Sequence, residues 1–171
     1  MIEEDLCYFQ NLAIIDLSDN RVRLEQLKNL RLISDINLQF NHISLIPPIS
    51  VKDFTNLETL NLSYNQISVQ SIKSLYTCQR LKVLDLTSNN LETVPIDIKQ
   101  FEMLEELNLS SNLLNSLSNT VNPNMLFKAL SSIPRLKILN LSRNRFFKFH
   151  SDLLNPNSDF LQLQELDISY N

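Results

Sequence analysis

The 171-residue sequence predicts an α/β solenoid: a curved stack with a parallel β-sheet on its concave face and mixed short-helix, 3-10 and loop returns on its convex face. Three observations carry the prediction. The spacing L-x-x-L-x-L-x-x-N, with apolar residues at the L positions, recurs seven times. Its central L-x-L has the period of two of a β-strand, so its two apolar side chains point one way and the residue between them points the other. Successive asparagines stand 21, 24, 24, 23, 32 and 27 residues apart, the range of units that stack on one another.

The copies run Leu12-Ile15-Leu17-Asn20, Ile33-Ile36-Leu38-Asn41, Leu57-Leu60-Leu62-Asn65 and Leu81-Leu84-Leu86-Asn89. They continue with Leu104-Leu107-Leu109-Asn112, Leu136-Leu139-Leu141-Asn144 and Leu163-Leu166-Ile168-Asn171. A further apolar residue lies two places past the asparagine in the first six: Val22, Ile43, Ile67, Leu91, Leu114 and Phe146. One copy cannot bury its own leucines, whereas stacked neighbours share a continuous core. Each buried leucine then contributes roughly 1.5–3 kcal/mol. The asparagine is expected to turn inward where the strand ends, its amide satisfying backbone groups of adjacent turns. Such groups cost ~1–3 kcal/mol each when left unpaired inside a core.

The returns vary. "SVQSIKSLYTC" spaces Val69, Ile72 and Leu75 as a short helix. "LETVPIDIKQFEML" and "LIPPISVKDF" contain prolines and predict looser or 3-10-like returns. The long fifth interval holds "SNTVNPN" before a predicted helix at "MLFKALSSI", and the sixth holds "SDLLNPNSD". Both insertions carry Asn-Pro-Asn, at 122–124 and 155–157, a turn former that should project from neighbouring repeats on the same side. The whole of 1–171 is expected to be one domain of about seven repeats. Residues 1–11 cap it at the N-terminal end, with Leu6 and Phe9 covering the first repeat. The sequence stops at Asn171 without a return segment. An end repeat needs a polar outer face, so more protein is expected to follow.

This lettering resembles the leucine-rich repeat superfamily, of the intracellular type without the cysteine caps of secreted receptors. The resemblance covers nearly the whole chain and implies a horseshoe-shaped repeat domain. The residues "EEDLCYFQNLAIIDLSDN" (3–20), "INLQFNHI" (36–43) and "DFTNLETLNLSYNQISVQSI" (53–72) also resemble the X-ray radiation resistance-associated protein family. That second resemblance covers roughly the first half and implies an intracellular, non-enzymatic protein. Repeats of this type are similar, too, to those of ciliary axonemal complexes.

Composition excludes several function classes. Net charge is −4 and pI about 5.1, which argues against nucleic acid or an anionic membrane as the main partner. No apolar run approaches the ~18 residues of a spanning helix. The opening "MIEEDLCYF" is acidic where a secretory signal needs positive charge. Cys7 and Cys78 are too few for a disulfide framework, so an intracellular, cytoplasmic setting is expected. Glycine is absent, although average usage of ~7% would predict about twelve. Phosphate-cradling loops, dinucleotide fingerprints and nucleophile elbows all need it. The 21 asparagines are expected to take over many tight turns, since asparagine tolerates the left-handed region best after glycine. Codon bias in an AT-rich genome explains the same composition.

No constellation suggests catalysis, a metal or a cofactor. His42 follows a repeat asparagine, His150 ends the run "RFFKFH", and neither has a partner at triad or metal-ligand spacing. In that run Phe146 is expected in the core, with Phe147 or Phe149 either exposed or packing under the second insertion, the latter favoured. Three Asn-Leu-Ser sequons, at Asn61, Asn108 and Asn140, lie mid-strand and belong to the repeat's own lettering rather than to glycosylation.

The informative positions face away from the core. Between the paired apolar positions stand Asp16, Asn37, Asn61, Asp85, Asn108, Asn140 and Asp167. Two residues earlier stand Ile14, Asp35, Thr59, Val83, Glu106, Ile138 and Glu165; two later, Ser18, Gln39, Ser63, Thr87, Ser110, Ser142 and Ser169. Every charge in these three columns is negative. Phe40, Tyr64 and Tyr170 add aromatics along one rim, with Arg143 the exception.

Two readings stand side by side. In one, the Asp/Asn lettering serves solubility and turn geometry. In the other, the face docks a basic helix or peptide, with charge steering encounter and aromatics anchoring. The expected binding residues are Asp16, Asp35, Asn37, Phe40, Thr59, Asn61, Tyr64, Val83, Asp85, Glu106, Asn108, Asn140, Glu165 and Asp167. The sequence thus predicts a non-enzymatic protein-interaction scaffold with no nucleic-acid, membrane or small-molecule partner. The alternative is a structural building block of a large cytoskeletal or ciliary assembly, held by its edges and insertions.

Overall fold

The computed structural model describes residues 8–49, 53–115, 125–146 and 160–171. Seven three-residue strands form one sheet: β1 (Ile14–Asp16), β2 (Asp35–Asn37), β3 (Thr59–Asn61), β4 (Val83–Asp85), β5 (Glu106–Asn108), β6 (Ile138–Asn140) and β7 (Glu165–Asp167). They pair in sequence order and all in parallel. Each strand is centred on the first apolar position of its L-x-L unit, so its central residue faces the core and its flanking residues face away. In β2 to β6 that central residue is buried while its neighbours are half-buried. At the two ends the central residue is itself only half-buried, because one side has no neighbouring repeat among the described residues.

One continuous core runs the length of the stack, built from the repeat leucines and from the residue two places past each asparagine. All six of those later residues, Val22, Ile43, Ile67, Leu91, Leu114 and Phe146, are buried. The returns follow their local chemistry. Helix α1 (Val69–Ser74) begins where the Ser68 hydroxyl accepts the Ser71 N–H at 3.2 Å, a side-chain cap on otherwise orphaned donors. It buries Ile72 and continues as a 3-10 turn over Leu75–Thr77. The Ser71 hydroxyl accepts the Ile46 N–H at 3.0 Å and the Ser74 hydroxyl donates to the Ile46 carbonyl at 2.9 Å, tying α1 to the return before it. The proline-bearing fourth return makes only a 3-10 turn over Ile98–Gln100, and helix α2 (Met125–Ser131) lies within "MLFKALSSI". A further 3-10 turn covers Leu24–Leu27.

The inward asparagines link repeat to repeat. Asn65 accepts the N–H groups of Asn41 and Ile43 at 3.1 and 2.8 Å and donates to the carbonyls of Leu38, Leu62 and Ser63 at 2.9, 3.0 and 3.1 Å. Asn41, Asn89, Asn112 and Asn144 repeat the arrangement, each accepting an N–H of the preceding repeat; all five are buried.

Two expectations are corrected. Phe9 does not cover the first repeat: it is 54% exposed, and its backbone carbonyl accepts the Leu12 N–H at 3.2 Å. Nor does asparagine take over the left-handed turns. Ten described residues have positive φ, namely Asp19, Phe40, His42, Phe54, Tyr64, Ser88, Asn90, Ser111, Arg143 and Tyr170, and only one is asparagine. The asparagines are spent on side-chain hydrogen bonding, while the left-handed place just before each one takes whatever residue stands there. Leu6, Cys7, both Asn-Pro-Asn insertions, Phe147, Phe149 and His150 lie outside the described residues.

Candidate partner-binding face

The strand register brings the predicted columns together. One row reads Ile14, Asp35, Thr59, Val83, Glu106, Ile138 and Glu165 across the sheet. The next reads Asp16, Asn37, Asn61, Asp85, Asn108, Asn140 and Asp167. Ile14 is 69% exposed at the sheet edge, whereas Val83 and Ile138 are half-buried between their neighbours.

The Asp/Asn row has a structural task. In all seven repeats its side-chain oxygen accepts the backbone N–H two residues on, from Ser18, Gln39, Ser63, Thr87, Ser110, Ser142 and Ser169, at 2.8 to 3.1 Å. This local turn bends the chain out of the strand. Aspartate and asparagine both offer that oxygen, which explains why the column contains nothing else. Two of the aspartates, Asp16 and Asp167, are held in the charged form as well. The backbone N–H of Ser18, then its hydroxyl, holds the Asp16 carboxyl below the usual range, and Ser169 does the same for Asp167. Asp35 takes a short hydrogen bond from the Ser34 hydroxyl.

The rim beyond the strands is equally regular. The residue before each repeat asparagine is Asp19, Phe40, Tyr64, Ser88, Ser111, Arg143 or Tyr170, and all seven have φ between 53° and 56°. Each N–H from Asp19 to Arg143 donates to a carbonyl of the next repeat, aligning the column: Asp19 to Gln39 at 2.8 Å, Phe40 to Ser63 at 3.2 Å, Tyr64 to Thr87 at 2.8 Å. The Phe40 and Tyr64 rings stack with centroids 4.3 Å apart and planes at 26°.

A family model described as "Leucine rich repeat" matches residues 31–91 and 68–114. Together with the seven-stranded parallel sheet, that match decides the architecture. The fold is a leucine-rich repeat solenoid. Among solved structures, an internalin C2 (inlC2) of Listeria monocytogenes is similar at a TM-score of 0.65 and 21% identity, over 96% of this chain and 74% of that one. An internalin (inlF) from the same organism is similar at a TM-score of 0.63 and 19% identity, over 97% of this chain. This chain spans 50% of the length of the second internalin.

Sequence reasoning missed one column of the leucine-rich repeat face. Directly before the strands, Glu58, Lys82, Glu105 and Lys137 alternate in sign. The Lys82 and Glu58 side chains meet at 2.7 Å, and so do Lys137 and Glu105. The Lys137 hydrogen bond lowers the Glu105 pKa. This column is self-neutralised, so the acidic field belongs to the sheet face beside it. The signal was present as the residue preceding each strand, one place outside the columns considered.

Among the described residues no group of three or more His, Cys, Asp or Glu side chains is arranged to hold a metal ion, and no helix is long and apolar enough to cross a membrane.

Proposed function

We propose that this leucine-rich repeat domain is a non-catalytic protein-interaction scaffold whose acidic sheet face docks a basic helix or peptide. The observation that carries the reading is the charge distribution. Asp16, Asp35, Asp85, Glu106, Glu165 and Asp167 stand on one registered sheet with no cation among them, beside a column whose lysines are already paired. The turn and ladder hydrogen bonds fix that face on folding, so a partner meets a preorganised surface and little ordering cost remains at binding. The internalin likeness supports the fold on which this rests, and the resemblance of the first half to the X-ray radiation resistance-associated family supports a non-enzymatic role inside the cell. The free thiol of Cys78, buried and pushed up to about 12 mainly by that burial, suits the same setting.

The test uses a capped amphipathic helical peptide whose basic residues are all lysine. Asp16→Asn, Asp85→Asn and Glu106→Gln together remove three charges, while the carboxamides at the first two sites keep the turn oxygen. Affinity is expected to fall by about tenfold, roughly 1.4 kcal/mol, with a shallower dependence on salt. Affinity that is flat across a salt titration of the unaltered chain overturns the reading.

A further inference from the structure

The rim column holds aromatic rings in two places and treats them differently. At one end the Arg143 guanidinium lies 4.7 Å from the centroid of the Tyr170 ring, a cation–π contact within the chain. At the other end Phe40 and Tyr64 stack on each other, 44% and 45% exposed. The left-handed backbone there disfavours bulky side chains, and the core gains little from rings that remain nearly half exposed. Asp19 fills the place beside Phe40 in the same column, registered by its N–H to the Gln39 carbonyl at 2.8 Å. Its side chain is exposed and carries no hydrogen bond or ion pair among the described residues.

We infer that Asp19, Phe40 and Tyr64 form a receptor for an arginine side chain of the docked segment, a deepening that rests on the concave-face reading. Neighbouring places in the column are about 4.8 Å apart, within the reach of one guanidinium. A guanidinium is planar, so it can lie flat on an aromatic ring while its edge donates to a carboxylate; an ammonium is a compact point charge without that fork. The chain's own Arg143–Tyr170 pair is an instance of the same contact at the same column position. Charge agrees, because the adjoining sheet columns bring six carboxylates and no cation.

Two capped amphipathic helical peptides, identical except that the basic residues are all arginine in one and all lysine in the other, test this by calorimetric titration of the 171-residue chain. The arginine peptide is expected to bind about tenfold more tightly. Phe40→Leu with Tyr64→Leu should weaken the arginine peptide more than the lysine peptide, so that the difference between the two disappears. Asp19→Asn, an exposed single change, should narrow the preference on its own, and circular dichroism verifies that each variant is folded. A preference that survives the leucine pair overturns the receptor. Equal, salt-sensitive binding of both peptides overturns the arginine receptor and leaves the acidic-face reading standing. Binding of neither overturns both.

Discussion

Replacing Asn65 with alanine takes the partner from three backbone groups at once. The Asn41 N–H, the Ile43 N–H and the Leu38 carbonyl are each bonded to the Asn65 amide, at 3.1, 2.8 and 2.9 Å. Two other carbonyls keep a partner after the change: Leu62 retains the Asn89 amide at 2.9 Å and Ser63 retains the Phe40 N–H at 3.2 Å. Three orphaned groups at ~1–3 kcal/mol each give roughly 3–9 kcal/mol. Water entering the space left by the amide restores part of this, so the expected loss is about 3–5 kcal/mol. Asn20 is the control. It is exposed and donates only to carbonyls of its own repeat, Leu17 and Ser18, so Asn20→Ala should cost less than about 1 kcal/mol. Urea unfolding followed by far-ultraviolet circular dichroism, comparing midpoints and slopes, measures both. Equal midpoint shifts for the two variants would refute the ladder argument.

Ser88→Gly should stabilise the fold by about 0.5–1 kcal/mol. It relieves a left-handed residue at φ 55°, worth ~1–2 kcal/mol, against the ~0.5–1 kcal/mol that glycine's extra unfolded freedom costs. A lowered melting temperature would contradict this. Acid should weaken the fold through Asp16 and Asp167, whose folded pKa values lie below the ordinary 3.8 because the Ser18 and Ser169 N–H groups bond the ionised form. A depressed folded pKa contributes stability that is complete above the unfolded value and is lost as pH falls through the folded one. The urea midpoint should therefore drop as pH falls below the ordinary carboxylate range, and Asp16→Asn with Asp167→Asn should flatten that drop; parallel curves would remove these two groups as the cause.

What the sequence made legible follows from which signals have a period. The strand register did, because Leu60, Leu84 and Leu107 repeat with their asparagines and one slip would turn the buried side chains outward. Helix α1 was legible from Val69, Ile72 and Leu75. The left-handed column was not: Phe40, Tyr64, Ser88 and Arg143 share a backbone conformation and no side-chain chemistry, and no glycine marks it. The Asp/Asn column was visible in full. Its turn role required knowing that the oxygen sits within reach of the N–H two residues on. Phe9 departs from its sequence reading because a large apolar residue before the first repeat reads as a lid, whereas more than half of it is exposed to solvent. The Glu58–Lys82 and Glu105–Lys137 pairs join residues 24 and 32 positions apart, a separation that only the stacking brings together.

The asparagine ladder also has a direction. The turn after each strand is completed by an amide that lies later in the chain: Val22 waits for Asn41, Ile43 for Asn65, Ile67 for Asn89 and Leu114 for Asn144. On a ribosome, which delivers the N-terminal end first, a newly made repeat emerges with its turn N–H groups still facing water. They find their acceptor only when the next asparagine has left the exit tunnel. Closure therefore advances one repeat behind synthesis, and a pause in translation would leave a single unlatched turn at the growing end while every earlier one is already closed.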